Sequence, residues 1–439
     1  MQHRTPFLVL VMLILVFPAT VCMTPTDQKR DGPSIEQQGS AVSEVIQRPI
    51  RVAVYDERNH TTPGYSHIGL WAQNGTVMAS FLASRGFDVT LVDASDITDG
   101  ILSTARFDVL VLPDSVPREN GTNFVKQFWL AGGGILSIDS SISYVCFAGM
   151  LPHESEGNNG YGTYWSYVWS ELQVVKSLHA TTRKYHVGDM VNSTLFDWAT
   201  FSRTALDSTA DSSLYTVLLT TQSSDDSVTG IAYDSSVRGG KVVQLPGPGD
   251  EIVPGLADLI ADSVTWLAPN PRARIVFDLS HRPRLAVDTW DTQSMFPGRY
   301  RALRDALVSR RFTFDKLYPT PTANLTLERL MPYDILILVC PDFNYTQSEV
   351  DAVKAWVAMG RSLWVFGEHP SIGFAKHDSQ LNRIISDMGI QIWLDGGDSV
   401  DRTYTKRMHV VNDISTDLLC DQGLSQHLEF SCSIVDLRG

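Results

Sequence analysis

The chain has 439 residues, 43% hydrophobic and 19% charged, enough to build cores for two or three globular domains. Its 49 acidic residues outnumber 35 basic ones, and the formal charge of −14 excludes a nucleic-acid partner, which needs a basic face to neutralise phosphates. Five cysteines without a CxxC pair argue against a zinc ribbon. At the N-terminus, His3 and Arg4 precede an uncharged apolar run from Phe7 to Phe17, then Pro18, Ala19 and Thr20. A basic start, a short apolar run and a small-residue exit predict a secretory signal over residues 1–23. The run is short for a spanning helix, which takes about 20 residues, and an uncleaved anchor is the alternative. Bulky Val21 before Cys22 argues against lipidation there. Residues 24–48 are polar, contain Pro and Gly and lack large apolar groups, as a flexible linker does.

Beyond residue 48 the chain repeats itself. IRVAVYD (Ile50 to Asp56) is matched by RIVFDLS (Arg274 to Ser280), and MASFLASRGFDVTLV (Met78 to Val92) by LRDALVSRRFTFDKLY (Leu303 to Tyr318). FDVLVLPD (Phe107 to Asp114) is matched by YDILILVCPD (Tyr333 to Asp342), both near-continuous apolar runs of the kind that fill a parallel sheet. VKQFWLAGGGILSID (Val125 to Asp139) aligns without a gap to VKAWVAMGRSLWVFG (Val353 to Gly367). KYHVGDMVNSTLF resembles RMHVVNDISTDLL, which sets His186 opposite His409. Strands alternating with helices predict two tandem flavodoxin-like three-layer α/β/α domains with mainly parallel sheets. The first spans 49–269 and closes with the strand GGKVVQLPG and a helix over Gly255 to Ala268, ended by Pro269 and Pro271. The second spans 272–439, and nothing after Leu419 corresponds to that closing strand and helix, so it reads as shorter or truncated.

Six N-x-[ST] sequons, at Asn59, Asn74, Asn120, Asn192, Asn324 and Asn344, favour a glycosylated, outward-facing surface. The expected location is secreted or cell-surface, with membrane contact only through the N-terminal anchor. Cys420 and Cys432 lie close enough in sequence to pair in an oxidising compartment, while Cys146 and Cys340, in apolar surroundings, read as buried thiols.

These motifs resemble the class I glutamine-amidotransferase-like superfamily. The first domain is similar to its ThuA-like and biotin-ligase N-terminal-like branch through FDVLVLPD, LAGGGILSID and RGGKVVQLPGPGD. The second is similar to the amidotransferase-like domain of an intraflagellar-transport subunit through IVFDLSHR, LTLERLMPYDILILVCPDF and VKAWVAMGRSLWVFGEH. The resemblance implies a catalytic Cys on the strained turn after the GGGxxxI strand and a His-x-Glu after a later strand. The first elbow instead reads Asp139, Ser140, Ser141, and the second Gly367, Glu368, His369; Cys146 comes about two helical turns too late. The later segment, Gln244 to Glu251, contains no His. Glutaminase chemistry is therefore not expected.

Other residues remain as candidates. Ser140 or Ser141 is a nucleophile with His186 or His179 as base and Asp139 nearby, or else a helix cap. Glu368 and His369 are ligand or metal contacts at the sheet edge, or surface residues. Asp56, His60 and His67 after the first strand, and Asp278, His281, Asp288 and Asp291 after its counterpart, offer oxygen and imidazole to a divalent cation, or are solvated loop residues. No spacing fits a known motif, and no metal or cofactor is expected. The insertion from His153 to Trp169 carries Tyr161, Tyr164 and Trp165, which suit a sugar or protein partner or an ordinary packed loop. The expected function is a non-catalytic, exported binding or scaffold protein whose ligand, a carbohydrate, small molecule or protein, sits at the C-terminal sheet edges. The alternatives are a secreted hydrolase of a sugar or amide substrate, using elbow residues in place of the thiol, and a partner in an assembly.

Overall fold

The structure is a computed structural model, and it describes residues 48–56, 75–113, 115–117, 121–139, 141–151, 172–193, 201–209, 213–235, 237–247, 252–319, 325–367 and 375–389. The expected signal over residues 1–23, nearly all of the expected linker, the aromatic insertion and the segment containing His409, Cys420 and Cys432 lie outside the described residues.

The first copy begins β1 (Arg51–Tyr55), α1 (Gly75–Ser84), β2 (Asp88–Val92), α2 (Ala94–Thr98), β3 (Val109–Pro113), α3 (Thr122–Leu130), β4 (Gly134–Ile138) and α4 (Ser141–Phe147). It continues with β5 (Leu172–Val175), β6 (Met190–Asn192), β7 (Phe201–Ser202), α5 (Arg203–Thr209), β8 (Tyr215–Thr221) and β9 (Ser224–Tyr233), and closes with β10 (Val242–Leu245) and α6 (Pro254–Leu267). The second copy is β11 (Arg274–Asp278), α7 (Arg301–Ser309), β12 (Thr313–Leu317), α8 (Leu327–Leu330), β13 (Ile335–Val339), α9 (Gln347–Ala358), β14 (Ser362–Phe366) and α10 (Ala375–Ile385).

The duplication holds down to register. The four parallel strands of the first copy run in the order β2-β1-β3-β4, and those of the second in the order β12-β11-β13-β14. Arg51 N donates to Asp108 Oδ2 and Asp108 N to the Arg51 carbonyl; Arg274 and Asp334 make the same reciprocal pair. Gly134 N donates to the Asp108 carbonyl as Ser362 N does to that of Asp334. β3, β4 and β13 are buried along their whole lengths, as strands covered on both faces must be.

The copies differ beyond the fourth strand. The first sheet has ten strands, in the order β2-β1-β3-β4-β10-β9-β8-β5-β6, with β7 on β9. β10 runs parallel to β4, but β9, β8, β5 and β6 are antiparallel to their neighbours. The expectation of a mainly parallel sheet thus holds for half of this one. The reason is local: only Gln222 and Ser223 separate β8 from β9, and a two-residue connection joins antiparallel strands only.

Two apolar layers sandwich each sheet. Tyr55, Leu110 and Phe128 belong to one face of the first and Val54, Leu256 and Ile260 to the other; Phe277 and Phe314 lie on one side of the second, Trp356 and Leu381 on the other. The copies are also joined to each other. Phe314 N, on edge strand β12, donates to the Ala131 carbonyl at 3.0 Å. The buried Asp315 carboxylate accepts from Thr104 N at 3.0 Å, Thr104 Oγ1 at 2.9 Å and Ala105 N at 3.1 Å. Covering β12 in this way removes an exposed sheet edge.

Candidate functional site

In the first copy the C-terminal ends of β1, β3, β4 and β10 carry Asp56, Ser115, Asp139 and Pro246. Open α/β sheets bind ligands at this edge. The strand-to-helix elbow between β4 and α4 turns at Asp139, a buried residue with φ of 49°. Left-handed backbone at a non-glycine residue costs about 1–2 kcal/mol and persists only where its surroundings hold it. Here the clamp is visible. Asp139 N donates to the Leu245 carbonyl at 2.9 Å, and Gln244 Nε2 donates to the carbonyls of both Asp139 and Leu245 at 3.0 Å. Ser141 Oγ donates to the Ser115 carbonyl at 3.4 Å. Asp56 is buried beside the start of α1 and accepts from Thr76 Oγ1 at 3.4 Å. Gly75 makes that close approach possible, since a Cβ there would lie 2.7 Å from the Tyr55 carbonyl oxygen.

Neither histidine proposed as the base reaches this elbow. β5, which leads to both, lies four strand spacings from β4, about 19 Å at 4.8 Å per strand. His186 is fully exposed on the turn after β5, 3.5 Å from Asp189. His179 packs edge-on against Trp266 at 4.7 Å near the C-terminus of α6, which brings it to the opposite edge of the sheet. Its Nδ1 accepts from Thr181 N and caps a short turn; burial and Lys241 push its pKa down. Cys146 is fully buried, and burial pushes its thiol pKa far up, which keeps it out of nucleophilic chemistry. Cys340 is also buried and donates to the Phe366 carbonyl. Ser140, His60, His67, Tyr161, Tyr164, Trp165, Glu368 and His369 lie outside the described residues.

The second copy corrects the reading of its first loop as solvated. Asp278, His281, Asp288 and Asp291 are all buried, each 1–2% exposed. Two networks of opposite charges account for this, since buried charge needs partners. In the first, His281 Nδ1 lies 2.9 Å from Asp278 Oδ2 and its Nε2 faces Glu349 Oε1 at 3.2 Å, with the Tyr345 ring 4.2 Å away. Burial alone would lower the imidazole pKa; the two carboxylates outweigh it and hold it raised. Ser280 completes a Ser-His-Asp trio, but not a relay: its hydroxyl donates to Asp278 Oδ1 and meets His281 on Nδ1, the nitrogen that Asp278 already holds. In the second network, Lys316 Nζ bridges Asp288 Oδ2 at 3.0 Å and Asp291 Oδ1 at 2.7 Å, while Arg304 pairs with Asp288. Burial opposes the Lys316 charge, and Tyr318, Asp288 and Asp291 together keep its pKa raised. These acids are held by the protein's own cations, and the described residues contain no group of three or more His, Cys, Asp or Glu arranged to hold a metal ion.

Sequence reasoning missed Gln244, the buried clamp of the elbow. Its signal was present, one amide in the apolar run Val242-Val243-Gln244-Leu245. It also missed Glu349 and Lys316, which lie far along the chain from the acids and histidine they meet.

No protein-family model matches the chain, and no curated protein matches it. Solved structures with a similar fold include a ThuA-like protein from Bacteroides uniformis, at 14% identity and TM-score 0.36 over 51% of this chain and 94% of that one. They also include a GMP synthase-subunit protein from Thermoplasma acidophilum, at 12% and 0.33 over 50% and 94%. A third is the mmIFT52 N-terminal domain, at 10% and 0.31 over 49% and 96%. ThuA-like and GMP synthase-type proteins thus stand among the neighbours of this α/β architecture, and likeness at this level says nothing of activity.

Proposed function

We propose that this chain is an exported, non-catalytic, amidotransferase-like binding or scaffold protein, with its ligand at the C-terminal edge of the first sheet. The observation that carries the reading is the elbow itself: a carboxylate, Asp139, occupies the strained turn, with the described thiols buried elsewhere and both candidate imidazoles far across the sheet. What the described residues leave there is a set of polar groups held by backbone bonds, without a nucleophile–base pair among them. Export rests on the signal-like N-terminus and the sequons, of which Asn192 and Asn344 have exposed side chains. The finer family reading, ThuA-like for the first copy and intraflagellar-transport-like for the second, rests on the quoted motifs.

Screening the full chain on a glycan and small-metabolite array tests the reading. A ligand whose affinity drops at least tenfold in both Asp139→Ala and Asp56→Ala is expected; retention of full affinity in both variants moves binding away from this edge and overturns the assignment. A second reading, a secreted hydrolase of a sugar or amide substrate, draws on the same strain at Asp139, since such outliers cluster at active sites. It requires turnover that disappears in Asp139→Ala.

A further inference from the structure

At the opposite, N-terminal edge of the sheets, the starts of β4, β10 and β12 border an open groove of about 420 Å³. Both copies and the Pro269-Asn270-Pro271 junction line it. Its charged side chains are Lys241 and Arg311 against the exposed Asp234, a local excess of positive charge in a chain of net charge −14.

Arg311 is the residue that marks the groove as more than a seam. It follows α7 in left-handed backbone, φ 68°, where Arg311 N donates to the Val308 carbonyl and Phe312 N to that of Leu307. This is a Schellman helix end, whose left-handed position favours glycine. The first copy builds the same end after α1, with Gly86 N donating to Ala83 and Phe87 N to Leu82, and the left-handed residue there is Gly86. After α2, α3 and α9 the corresponding residues are Gly100, Gly132 and Gly360, all at positive φ. The second copy thus carries an arginine where its repeat counterpart and these three helix ends carry glycine, at a cost of about 1–2 kcal/mol. Strain kept in this way points to what the side chain reaches. One guanidinium nitrogen donates a long, 3.4 Å bond to the Asn270 carbonyl, and the side chain, which lines the groove, forms no ion pair among the described residues. Lys241 Nζ, fixed over the Trp266 ring at 4.4 Å and bonded to the Trp266 carbonyl, likewise forms no ion pair among them.

We propose that this groove binds an anionic sugar, with its phosphate or carboxylate head on Arg311 and Lys241. A guanidinium fork matches either head in two parallel bonds. The rest of the wall is rich in acceptors. Asp234 offers a carboxylate, and the prolines of the junction have carbonyls but no N–H, which suits the hydroxyls of a sugar. The volume falls at the small end of ligand pockets, of order 300–1,000 Å³, and accommodates one hexose and its head group.

Calorimetric titration of the full chain with glucose 6-phosphate, glucuronate, glucose and inorganic phosphate tests this. At least one anionic sugar is expected to bind at least tenfold more tightly than glucose and inorganic phosphate, and comparison of the two identifies the head group. Arg311→Gly, which restores the glycine of the first copy, is expected to weaken that binding at least tenfold while its own melting temperature stays level or rises. No binding of either anionic sugar overturns the proposal, as does equal binding of inorganic phosphate. So does an Arg311→Gly variant that melts lower but binds unchanged, which would make Arg311 a latch between the copies.

Discussion

At the residue scale, buried polar side chains do two different jobs. Gln244 holds the elbow by giving both amide hydrogens to backbone carbonyls. Gln244→Leu keeps the volume and removes both bonds, so a loss of about 1–2 kcal/mol is expected in urea unfolding; no loss would mean the elbow is held by its neighbours alone. His281 is the other kind, an ionisable group whose charge is part of the fold. Its folded pKa is raised above the ordinary 6.5, so its contribution is complete below 6.5 and is lost as pH rises through the raised value. Glu349 has the opposite sign. Burial pushes its carboxyl up, but the Thr346 donors and His281 outweigh that and hold it below 4.5, so its contribution is lost only as pH falls through the lowered value. Stability is therefore expected to fall on the alkaline side of pH 6.5, and His281→Gln to flatten that limb in unfolding curves at pH 5–9. An unchanged limb would place the titration elsewhere.

At the scale of elements, the sequence is legible where the chain speaks locally. The apolar runs of β3 and β13, the glycine after α3 and the gapless match of α3-β4 to α9-β14 all appear as read. The closing strand β10 and helix α6 do too. What stayed hidden was partner choice. Nothing in β8 and β9 says that they lie beside β10, and it is this antiparallel extension that carries His179 and His186 away from the elbow. His281, Asp288 and Asp291 were misread for the same reason: a loop after a strand is normally solvated, and their partners, Glu349 and Lys316, come from α9 and β12. Capping follows local rules and is testable as such. Thr346 Oγ1 accepts from Glu349 N, and the Glu349 side chain accepts from Thr346 N, a reciprocal box at the start of α9. Thr346→Ala is expected to cost about 1 kcal/mol, read by thermal unfolding; a variant as stable as wild type contradicts the box.

At the scale of the whole molecule, the two copies are fastened rather than strung together. Edge strand β12 donates a backbone bond to the first copy, and Asp315 accepts from Thr104 and Ala105 across the junction. Asp315→Ala leaves buried donors unpaired and is expected to cost about 3 kcal/mol and to separate one calorimetric transition into two; a single unshifted transition would show that the copies unfold as one without this contact. A fastened pair offers two rigid edges, an elbow edge without thiol or imidazole among its described residues and a cationic groove beneath. Whether the elbow binds without catalysing is read from steady-state ammonia release from glutamine, comparing the full chain with Asp139→Ala. No saturable turnover is expected in either protein. Saturable release by the native chain that disappears in Asp139→Ala would contradict it.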